Sequence, residues 1–302
     1  MPPARGSKRS SVRELAAASG VSADSLRRVE ASFAAPDGLT LFRRAWLPSE
    51  PRHALLLVHG FGEHSGRYDE LAAWFAGRGC VVHAYDQRGH GRSAGTRTHV
   101  DRFAQLLDDL ASFHALVRDE HASVPISLIG HSMGGLVGLA YLADRRPALA
   151  SAVISAPALA PDRAVSRARA ILARALRGIV PKLAMASGLD LTGLSRDEEV
   201  VRRYIADPLV VRTMTASLGA ELLTAAPAVR VRGAEIALPV LLLHGKADPL
   251  CPASATEEFA ATLTAAGSAL RVYPELRHEI FNEPERQRVF ADAWQWIEET
   301  QA

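Results

Sequence analysis

Five short runs of consecutive apolar residues constrain the fold of this chain more than any other feature. They lie at 54–58, 81–85, 126–129, 152–154 and 240–243, and a segment with helical character follows each of them. The runs do not alternate with polar residues, so both faces of each strand must be buried, which is typical of a parallel sheet covered by helices. They predict an α/β protein with a mostly parallel, doubly wound sheet.

The other segments divide the chain into a core with two additions. Residues 1–28 are predicted to form an N-terminal extension, either disordered or with a short helix, and a small DNA-binding helix pair is a weaker alternative. A turn signal at 36–38 between two β-rich runs predicts an antiparallel hairpin. Strands stop between 157 and 235, so we expect a helical cap there, over the carboxyl edge of the sheet. The core would then comprise 29–156 and 236–302.

Composition and net charge give less information about function than the apolar runs give about the fold. A hydrophobic share of 48% and a charged share of 23% are typical of a globular protein, and a net charge of +2 gives no reason to expect a nucleic-acid partner. The two cysteines, Cys80 and Cys251, match no metal or disulfide pattern and indicate a reducing compartment. The glycine-rich segment at 86–93 matches no phosphate or dinucleotide loop, and the sequence implies no metal or organic cofactor.

The sequence also bears on location. No apolar run approaches the roughly 20 residues of a membrane-spanning helix. The first 25 residues contain no continuous hydrophobic stretch of the kind found in a signal peptide. We therefore expect a cytoplasmic protein.

One motif indicates nucleophilic catalysis. Gly130-His131-Ser132-Met133-Gly134 lies directly after the apolar run at 126–129 and directly before a helical pattern. This is the Gly-x-Ser-x-Gly pattern, in which a tight strand-to-helix turn exposes the serine hydroxyl. A glycine-rich loop can match so short a pattern by chance, but the flanking strand and helix favour Ser132 as a nucleophile.

A serine hydroxyl needs a base to remove its proton and a carboxylate to orient that base. In this arrangement the acid and the histidine follow the serine, in that order. Asp248 follows the last apolar run, and His278, one of eleven histidines, follows the next strand-like run. We therefore predict Asp248 as the orienting acid and His278 as the base. Asp292 and Glu275 are alternatives for the acid, and Asp248 could instead serve as a helix cap.

Backbone N–H groups are the expected stabilisers of the oxyanion that forms when an acyl carbonyl is attacked. One donor should be Met133, at the start of the helix after Ser132. The second should come from the glycine-containing loop at 59–62, and we assign it to Phe61. His59, in the same loop, is expected to make structural hydrogen bonds.

Several of these segments, taken in order, resemble one family. Residues 59–68 read His-Gly-Phe-Gly-Glu-His-Ser-Gly-Arg-Tyr, and further matching motifs lie at 86–93, 130–135, 194–209, 244–248 and 278–283. The chain from about 29 to 297 resembles the monoacylglycerol lipase and lysophospholipase-like α/β hydrolases, which are grouped with the serine aminopeptidase-like hydrolases. Its cap motif is similar to that of the bacterial branch.

The resemblance implies the α/β-hydrolase fold, a triad of Ser132, Asp248 and His278, and a mobile cap that gates an apolar acyl channel. It also implies four residues at the substrate site, namely Glu63, Arg67, His131 and Cys251. Glu63 and Arg67 match positions at its polar end, where they would organise a glycerol moiety.

The implied activity is that of a serine carboxylester hydrolase that cleaves monoacylglycerol to glycerol and fatty acid through an acyl-enzyme. Two alternatives keep the triad but change the substrate, to a lysophospholipid or to a small ester or thioester. A third alternative is a non-catalytic ligand-binding protein on the same fold.

Arginines and apolar residues recur at helical spacing along the predicted cap. The arginines near one helical face are Arg163, Arg167, Arg174 and Arg177. The apolar residues near another face are Val165, Ala168, Leu172, Ala175 and Ile179. A basic amphipathic helix of this kind can rest on an anionic bilayer, here as peripheral contact with the inner membrane surface. The alternative is a helix packed on the protein with a solvated basic face. The oligomeric state stays open.

Overall fold

A computed structural model describes residues 27–160 and 167–301 of the chain. The predicted N-terminal helix lies outside these residues, as do Arg163 and Val165 of the predicted amphipathic helix. The strands in the described part are β1 (Arg27–Ala34), β2 (Thr40–Leu47), β3 (His53–Val58), β4 (Cys80–Tyr85), β5 (Ile126–His131), β6 (Ser151–Ser155), β7 (Ala184–Ala186), β8 (Thr213–Thr215), β9 (Val240–Gly245) and β10 (Ala269–Tyr273).

Eight of these strands form one sheet in the order β1-β2-β4-β3-β5-β6-β9-β10. The six strands from β4 to β10 in this order pair in parallel, and β1 and β2 add an antiparallel edge. The five apolar runs fall in β3, β4, β5, β6 and β9, which confirms the prediction of a mostly parallel sheet. The predicted hairpin is β1 and β2, and β1 begins at Arg27, within the segment assigned to the extension.

Helices cover both faces of this sheet. The α-helices of the described residues are α1 (Asp69–Ala76), α2 (Ala104–Glu120), α3 (Met133–Arg145), α4 (Arg167–Ile179), α5 (Glu198–Ala206), α6 (Ala216–Arg230), α7 (Ala253–Ala260) and α8 (Arg286–Glu299). Successive residues of β3 show why the apolar runs do not alternate with polar residues. Leu56 and Val58 pack in one hydrophobic core with α2, α3 and α6, whereas Leu55 and Leu57 pack in a second core with α1 and α8. Each buried strand must therefore be apolar on both faces.

The segment between β6 and β9, called the inserted segment here (residues 157–235), contains α4, α5 and α6. It also contains the antiparallel pair of β7 and β8, in which Met185 lies opposite Met214. The expectation of helices and loops alone was incomplete, because strands of three residues are too short to show a period-two pattern. Within the described ranges, no helix combines the length and the apolar character that crossing a bilayer requires.

Candidate active site

Ser132 lies in the tight turn between β5 and α3. Its backbone has φ 53° and ψ −116°, a region that residues other than glycine rarely adopt. The turn is held by two backbone hydrogen bonds, from Ser132 N–H to the Ser155 carbonyl at 2.9 Å and from Leu136 N–H to the Ser132 carbonyl at 3.0 Å. The glycine that follows is required by packing, since a Cβ atom at Gly134 would lie 2.2 Å from the carbonyl oxygen of Val58. This geometry is the one that the Gly-x-Ser-x-Gly pattern predicts.

Three side chains that are far apart in the sequence form a continuous hydrogen-bonded chain. His278 Nε2 lies 3.0 Å from Ser132 Oγ, and His278 Nδ1 lies 2.7 Å from Asp248 Oδ2. Asp248 follows β9 and His278 follows β10, so both reach the carboxyl edge of the sheet where β5 ends. The structure therefore brings together the nucleophile, base and acid that the sequence predicts, in the geometry that nucleophilic catalysis requires.

Asp248 is held by several donors at once. Its Oδ1 accepts the backbone N–H groups of Leu250 and Cys251 at 2.7 and 3.0 Å. Its Oδ2 also lies 3.1 Å from Nε2 of His244, whose Nδ1 is 2.8 Å from the Thr256 hydroxyl. These contacts fix the carboxylate facing His278.

The alternative acids lie elsewhere. Asp292 accepts a hydrogen bond from the Tyr273 hydroxyl at 2.9 Å and forms an ion pair with Arg271. Glu275 is exposed and lies 3.4 Å from Arg196. Among the three candidates, Asp248 is the one that contacts His278.

The charges of Asp248 and His278 support one another. Burial raises the pKa of Asp248, but the neighbouring His278 and the hydrogen bonds from His244, His278 and Cys251 N–H outweigh burial and hold the pKa well below its usual range. Burial lowers the pKa of His278, but the Asp248 carboxylate outweighs it, so the net pKa lies above the ordinary histidine value. His278 is therefore more basic than a free imidazole, as a proton acceptor for Ser132 should be.

The loop after β3 presents Phe61 beside Ser132. Phe61 and Met133 line the same cavity as Ser132, and no acceptor among the described residues takes a hydrogen bond from either backbone N–H. His59 makes structural contacts, as expected, because its Nδ1 lies 2.7 Å from the Gly60 carbonyl and its Nε2 accepts the Gln87 N–H at 2.9 Å. Two free N–H donors at the nucleophile are what an oxyanion hole requires.

A buried ionic cluster forms the polar wall of the site. Arg67 donates to Glu63 Oε2 at 2.6 Å and to both oxygens of Glu279 at 2.6 and 2.7 Å. Glu63 Oε1 accepts the Gly60 N–H at 2.7 Å, so the cluster also holds the loop that carries Phe61. Burial raises the pKa of Glu63, but the Arg67 charge outweighs it and lowers that pKa to about 2. Glu63 thus lines the cavity together with Glu279, and Arg67 is the cation that these two carboxylates share.

His131 and Cys251, the other two residues implied at the substrate site, also line the cavity. Burial and the neighbouring His278 lower the pKa of His131 to about 4, so its ring is neutral, and its Nδ1 lies 3.1 Å from the Ser155 hydroxyl. Burial raises the pKa of the Cys251 thiol, with Asp248 adding to the effect. Cys251 is therefore a protonated thiol in the cavity wall rather than a thiolate.

The cavity beside Ser132 has a volume of about 380 Å³ and lies between the sheet edge and the inserted segment. Polar lining is confined to the residues described above, together with Tyr204 and a few hydroxyl groups. The apolar side chains that the inserted segment contributes to its wall are Ala158, Leu172, Ala173, Met185, Ala186, Leu189, Leu194, Met214, Leu222 and Leu223. A cavity of this size and polarity suits a small ligand with an alkyl portion.

The inserted segment also contacts the loop that carries Phe61. Val211 donates its N–H to the Gly62 carbonyl at 2.7 Å, and His64 Nε2 lies 2.9 Å from Asp207 Oδ2. The Tyr204 ring lies over the Arg67 guanidinium, 4.6 Å from the ring centroid. The segment is thus joined to the polar wall of the site and not only to the sheet.

The sequence matches known proteins along most of its length. A family model described as serine aminopeptidase, S33, matches residues 49–285. The chain belongs to this family. Monoacylglycerol lipase of Mycolicibacterium smegmatis is 35% identical to this S33-family chain over 272 residues, which cover 89% of this chain and 97% of that protein. Monoglyceride lipase of Mus musculus is 34% identical over 250 residues, 82% of each protein.

A solved structure agrees with these relatives. The crystal structure of Paleococcus ferrophilus monoacylglycerol lipase superimposes with a TM-score of 0.77 at 30% identity and covers 91% of this chain and 99% of that one. The resemblance and the α/β-hydrolase fold predicted from the sequence are thereby confirmed. This S33-family protein is a serine hydrolase.

Sequence reasoning missed several contacts in the site of this hydrolase. His244 belongs to the motif at 244–248 but received no role from the sequence, whereas it lies against Asp248. Tyr204 and Val211 carried no local signal, because their partners Arg67 and Gly62 lie more than a hundred residues away in the chain. The family-like motif at 278–283 was the one available signal for Glu279.

Proposed function

We propose that this hydrolase cleaves monoacylglycerols to glycerol and fatty acid. The observation that carries the proposal is the hydrogen-bonded chain of Ser132, His278 and Asp248 at the wall of a cavity that is apolar on one side and ionic on the other. The relatives described above, which are named as monoacylglycerol or monoglyceride lipases, support the same substrate class.

The proposed reaction has two halves. Ser132 Oγ attacks the ester carbonyl while His278 Nε2 takes the hydroxyl proton, and the N–H groups of Phe61 and Met133 stabilise the resulting oxyanion. His278 then gives the proton to the glycerol oxygen, the C–O bond breaks, and an acyl-enzyme forms. In the second half His278 takes a proton from water, the hydroxide attacks the acyl carbon, and the proton returns to Ser132 as the fatty acid leaves. Asp248 keeps the imidazole oriented and stabilises its charged form throughout.

The two sides of the cavity suit the two parts of the substrate. The apolar wall from the inserted segment would bury the alkyl chain, at about 0.8 kcal/mol for each CH₂ removed from water. Glu63, Arg67 and His131 would orient the glycerol hydroxyl groups, and Cys251 would contact the substrate as a neutral thiol. In this proposal residues 157–235 act as a cap on a core of 27–156 and 236–302, which begins two residues earlier than predicted because β1 begins at Arg27.

Purified protein should release glycerol from a series of monoacylglycerols, and Ser132→Ala should abolish that release. Ser32→Ala, at an exposed position on β1, is the matched control and should behave as the wild type. A lysophospholipid and para-nitrophenyl esters belong in the same assay. If the Ser132→Ala variant still released glycerol, the proposed mechanism would be wrong. If turnover were confined to the lysophospholipid or the aryl esters, the proposed substrate would be wrong but the proposed serine mechanism would stand.

We also propose that the inserted segment contacts a membrane surface. The exposed large apolar side chains of the described residues all lie in this segment, and they are Ile171, Leu172, Ile179, Val180, Leu183, Leu189, Ile205 and Val231. Five of these eight belong to α4 and the turn that follows it. A concentrated apolar surface of this kind supports contact with a lipid phase.

Arg174 and Arg177 are the arginines of α4 whose side chains the structure describes, and both contact a neighbouring helix. Arg177 forms an ion pair with Glu221 at 2.5 Å, and Arg174 lies 3.5 Å from the Leu223 carbonyl, so both engage α6. In this proposal the exposed apolar residues of α4 would enter the bilayer, and Arg174 and Arg177 would stay with α6.

Sedimentation with phospholipid vesicles tests the membrane contact. Ile179→Asp, at a position 78% exposed, should reduce the bound fraction, whereas Val231→Asp, 73% exposed but remote in the chain from α4, should not. Equal binding by wild type and Ile179→Asp would exclude α4 as the contact.

A further inference from the structure

Three side chains with metal-ligating atoms meet at a place outside the catalytic site. His83 lies on β4, Glu120 is the last residue of α2, and His121 is the cap residue that ends this helix. One ligand atom from each lies within 4.8 Å of the other two. None of the three lines the cavity that contains Ser132.

The two imidazole rings face each other through the same type of nitrogen. His83 Nε2 lies 2.9 Å from His121 Nε2, and neither atom has another hydrogen-bond partner among the described residues. Two Zn–N bonds at a tetrahedral angle place their nitrogens about 3.3–3.4 Å apart, so the two rings would have to separate by about 0.4–0.5 Å to hold the ion between them. A side-chain movement of this size is within the reach of His121, which lies at a helix end.

The three side chains are in the protonation states in which such groups bind a metal ion. Burial and the neighbouring His121 lower the pKa of His83 to about 3, and burial also lowers the pKa of His121. Both rings are therefore neutral at neutral pH, the form in which imidazole binds a metal. Arg43 lowers the pKa of Glu120, so this carboxylate is charged.

Arg43 also orients the carboxylate. It donates to the two oxygens of Glu120 at 2.6 and 2.9 Å. An ionised carboxylate has about four lone-pair sites, so Glu120 can accept both of these hydrogen bonds and still bind an ion. Ligating carboxylates in metalloproteins are commonly held by such hydrogen bonds.

The place is open to solvent, and its charges act in opposite directions: Arg43, which lines the same cavity, disfavours a cation, whereas the Glu120 carboxylate favours one. A cavity of about 310 Å³ adjoins the three side chains and gives an ion and its remaining water ligands a path of entry. The carbonyl end of α2, a helix of 17 residues, points toward the cluster and favours a cation there.

We propose that His83, Glu120 and His121 form a binding site for a late first-row divalent transition-metal ion, of which Zn²⁺ is the representative. Two imidazoles and one carboxylate are ligands that such ions accept. The bound ion would join β4 to the end of α2 at a place separate from the ester-cleaving machinery.

The expected affinity is modest. His83 Nδ1 is buried and has no hydrogen-bond partner among the described residues. A partner for this second ring nitrogen typically changes metal affinity by about 10–100-fold. We therefore expect Zn²⁺ to bind more weakly here than in a structural zinc site.

Calorimetric titration of chelator-treated protein with Zn²⁺ tests the proposal. We expect binding to the wild type, a rise in its melting temperature with Zn²⁺, and affinity at least about 10-fold lower in His121→Gln and Glu120→Gln. Asp119→Asn removes the neighbouring exposed carboxylate outside the cluster and should bind as the wild type does. His121 and Glu120 are not fully buried, so these variants should fold, and circular dichroism verifies that they do.

Asp248, Cys251 and His278 also offer three ligand atoms within 4.8 Å, so the two places must be distinguished. Co²⁺ does this, because the proposed site has no sulfur and should give visible d–d bands without a thiolate charge-transfer band. A thiolate band that accounts for the bound ion, unchanged Zn²⁺ affinity in folded His121→Gln, or no binding by the wild type at millimolar Zn²⁺ would overturn the proposal.

Discussion

Asp248 and Arg67 are single residues whose buried charges have opposite signs and similar roles. Each is surrounded by groups that stabilise its charge: Asp248 by contacts with two histidine rings and two backbone N–H groups, and Arg67 by the carboxylates of Glu63 and Glu279. A buried charge is tolerated only with such partners, and removing one partner leaves the other unpaired. The effect of substituting one partner therefore depends on the buried charge that is left unpaired.

Asp248→Asn should lower kcat/KM by about 10⁴-fold, because an amide neither stabilises the charged imidazole nor fixes its tautomer. The acid limb of the remaining activity should move to lower pH, since His278 loses the carboxylate that raises its pKa while burial continues to lower that pKa. The pH dependence of kcat/KM measures both effects. Asp292→Asn is the control, and a similar loss there would mean that Asp292 is the acid.

Arg67→Met should reduce the free energy of unfolding by about 3–5 kcal/mol at neutral pH, because two buried carboxylates lose their shared cation. The pKa of Glu63 is about 2 in the folded wild type, below its ordinary value, so its contribution is present above that ordinary value and is lost as pH falls. In the variant this pKa should rise, and the deficit should shrink toward acidic pH as the carboxylates take up protons.

Urea unfolding at neutral and mildly acidic pH measures this deficit. Arg202→Met breaks the exposed pair of Arg202 and Glu199, at 2.6 Å, and should change stability little. A deficit that is independent of pH would indicate lost packing rather than lost charge pairing.

The helix α3 and the strand β3 meet so closely beside Ser132 that no side chain fits between them. The first turn of α3 packs against the end of β3, and a Cβ atom at Gly134 would lie 2.2 Å and 2.4 Å from the carbonyl oxygens of Val58 and His59. These are backbone atoms, which can move away only at a large cost in free energy. Glycine is normally the poorer helix former, so here the steric requirement outweighs helix propensity.

Gly134→Ala and Gly178→Ala should therefore have opposite effects on stability. At Gly134 the methyl group meets backbone, and we expect a loss of about 1–3 kcal/mol or more. At Gly178, in α4, a Cβ atom meets nothing within 4 Å, and a gain of up to about 1 kcal/mol is expected. Thermal unfolding of the two variants compares them directly. Stabilisation by both would show that α3 can shift away from β3.

Two distant parts of the chain form the cavity together. The sheet edge supplies its reactive side chains, and the inserted segment supplies most of its apolar wall. Ala173 of α4 is buried in that wall beside Leu223 of α6. The length of alkyl chain that fits is therefore decided by how α4 and α6 pack over the core rather than by the residues that cleave the ester.

Ala173→Phe should shorten the preferred acyl chain. In the wild type kcat/KM should rise by up to about four-fold for each added CH₂ until the cavity is filled, as about 0.8 kcal/mol per CH₂ requires. The larger side chain should end this rise at a shorter chain. Ala175→Phe, on the exposed side of the same helix, is the control and should keep the wild-type profile. Identical profiles for all three proteins would mean that the chain lies elsewhere.

The sequence by itself determined the parts whose physics is local. Continuous apolar runs require strands buried on both faces, and Gly130 and Gly134 around Ser132 require a tight turn between a strand and a helix. The order Ser132, Asp248, His278 also follows from the chain alone, because each lies after a recognisable strand. These features predicted the sheet and the three residues that the structure brings together, and the ordered motifs that begin at 59–68 carried the resemblance to the family.

The tertiary structure decided the contacts whose partners are distant in sequence. It chose Asp248 over Asp292 and Glu275 by distance to His278, directed Arg174 and Arg177 toward α6, and paired β7 with β8. It also brought Tyr204 and Val211 to the loop beside the nucleophile. No periodicity or spacing encodes such contacts, because packing of the inserted segment against the sheet edge decides which side chains meet.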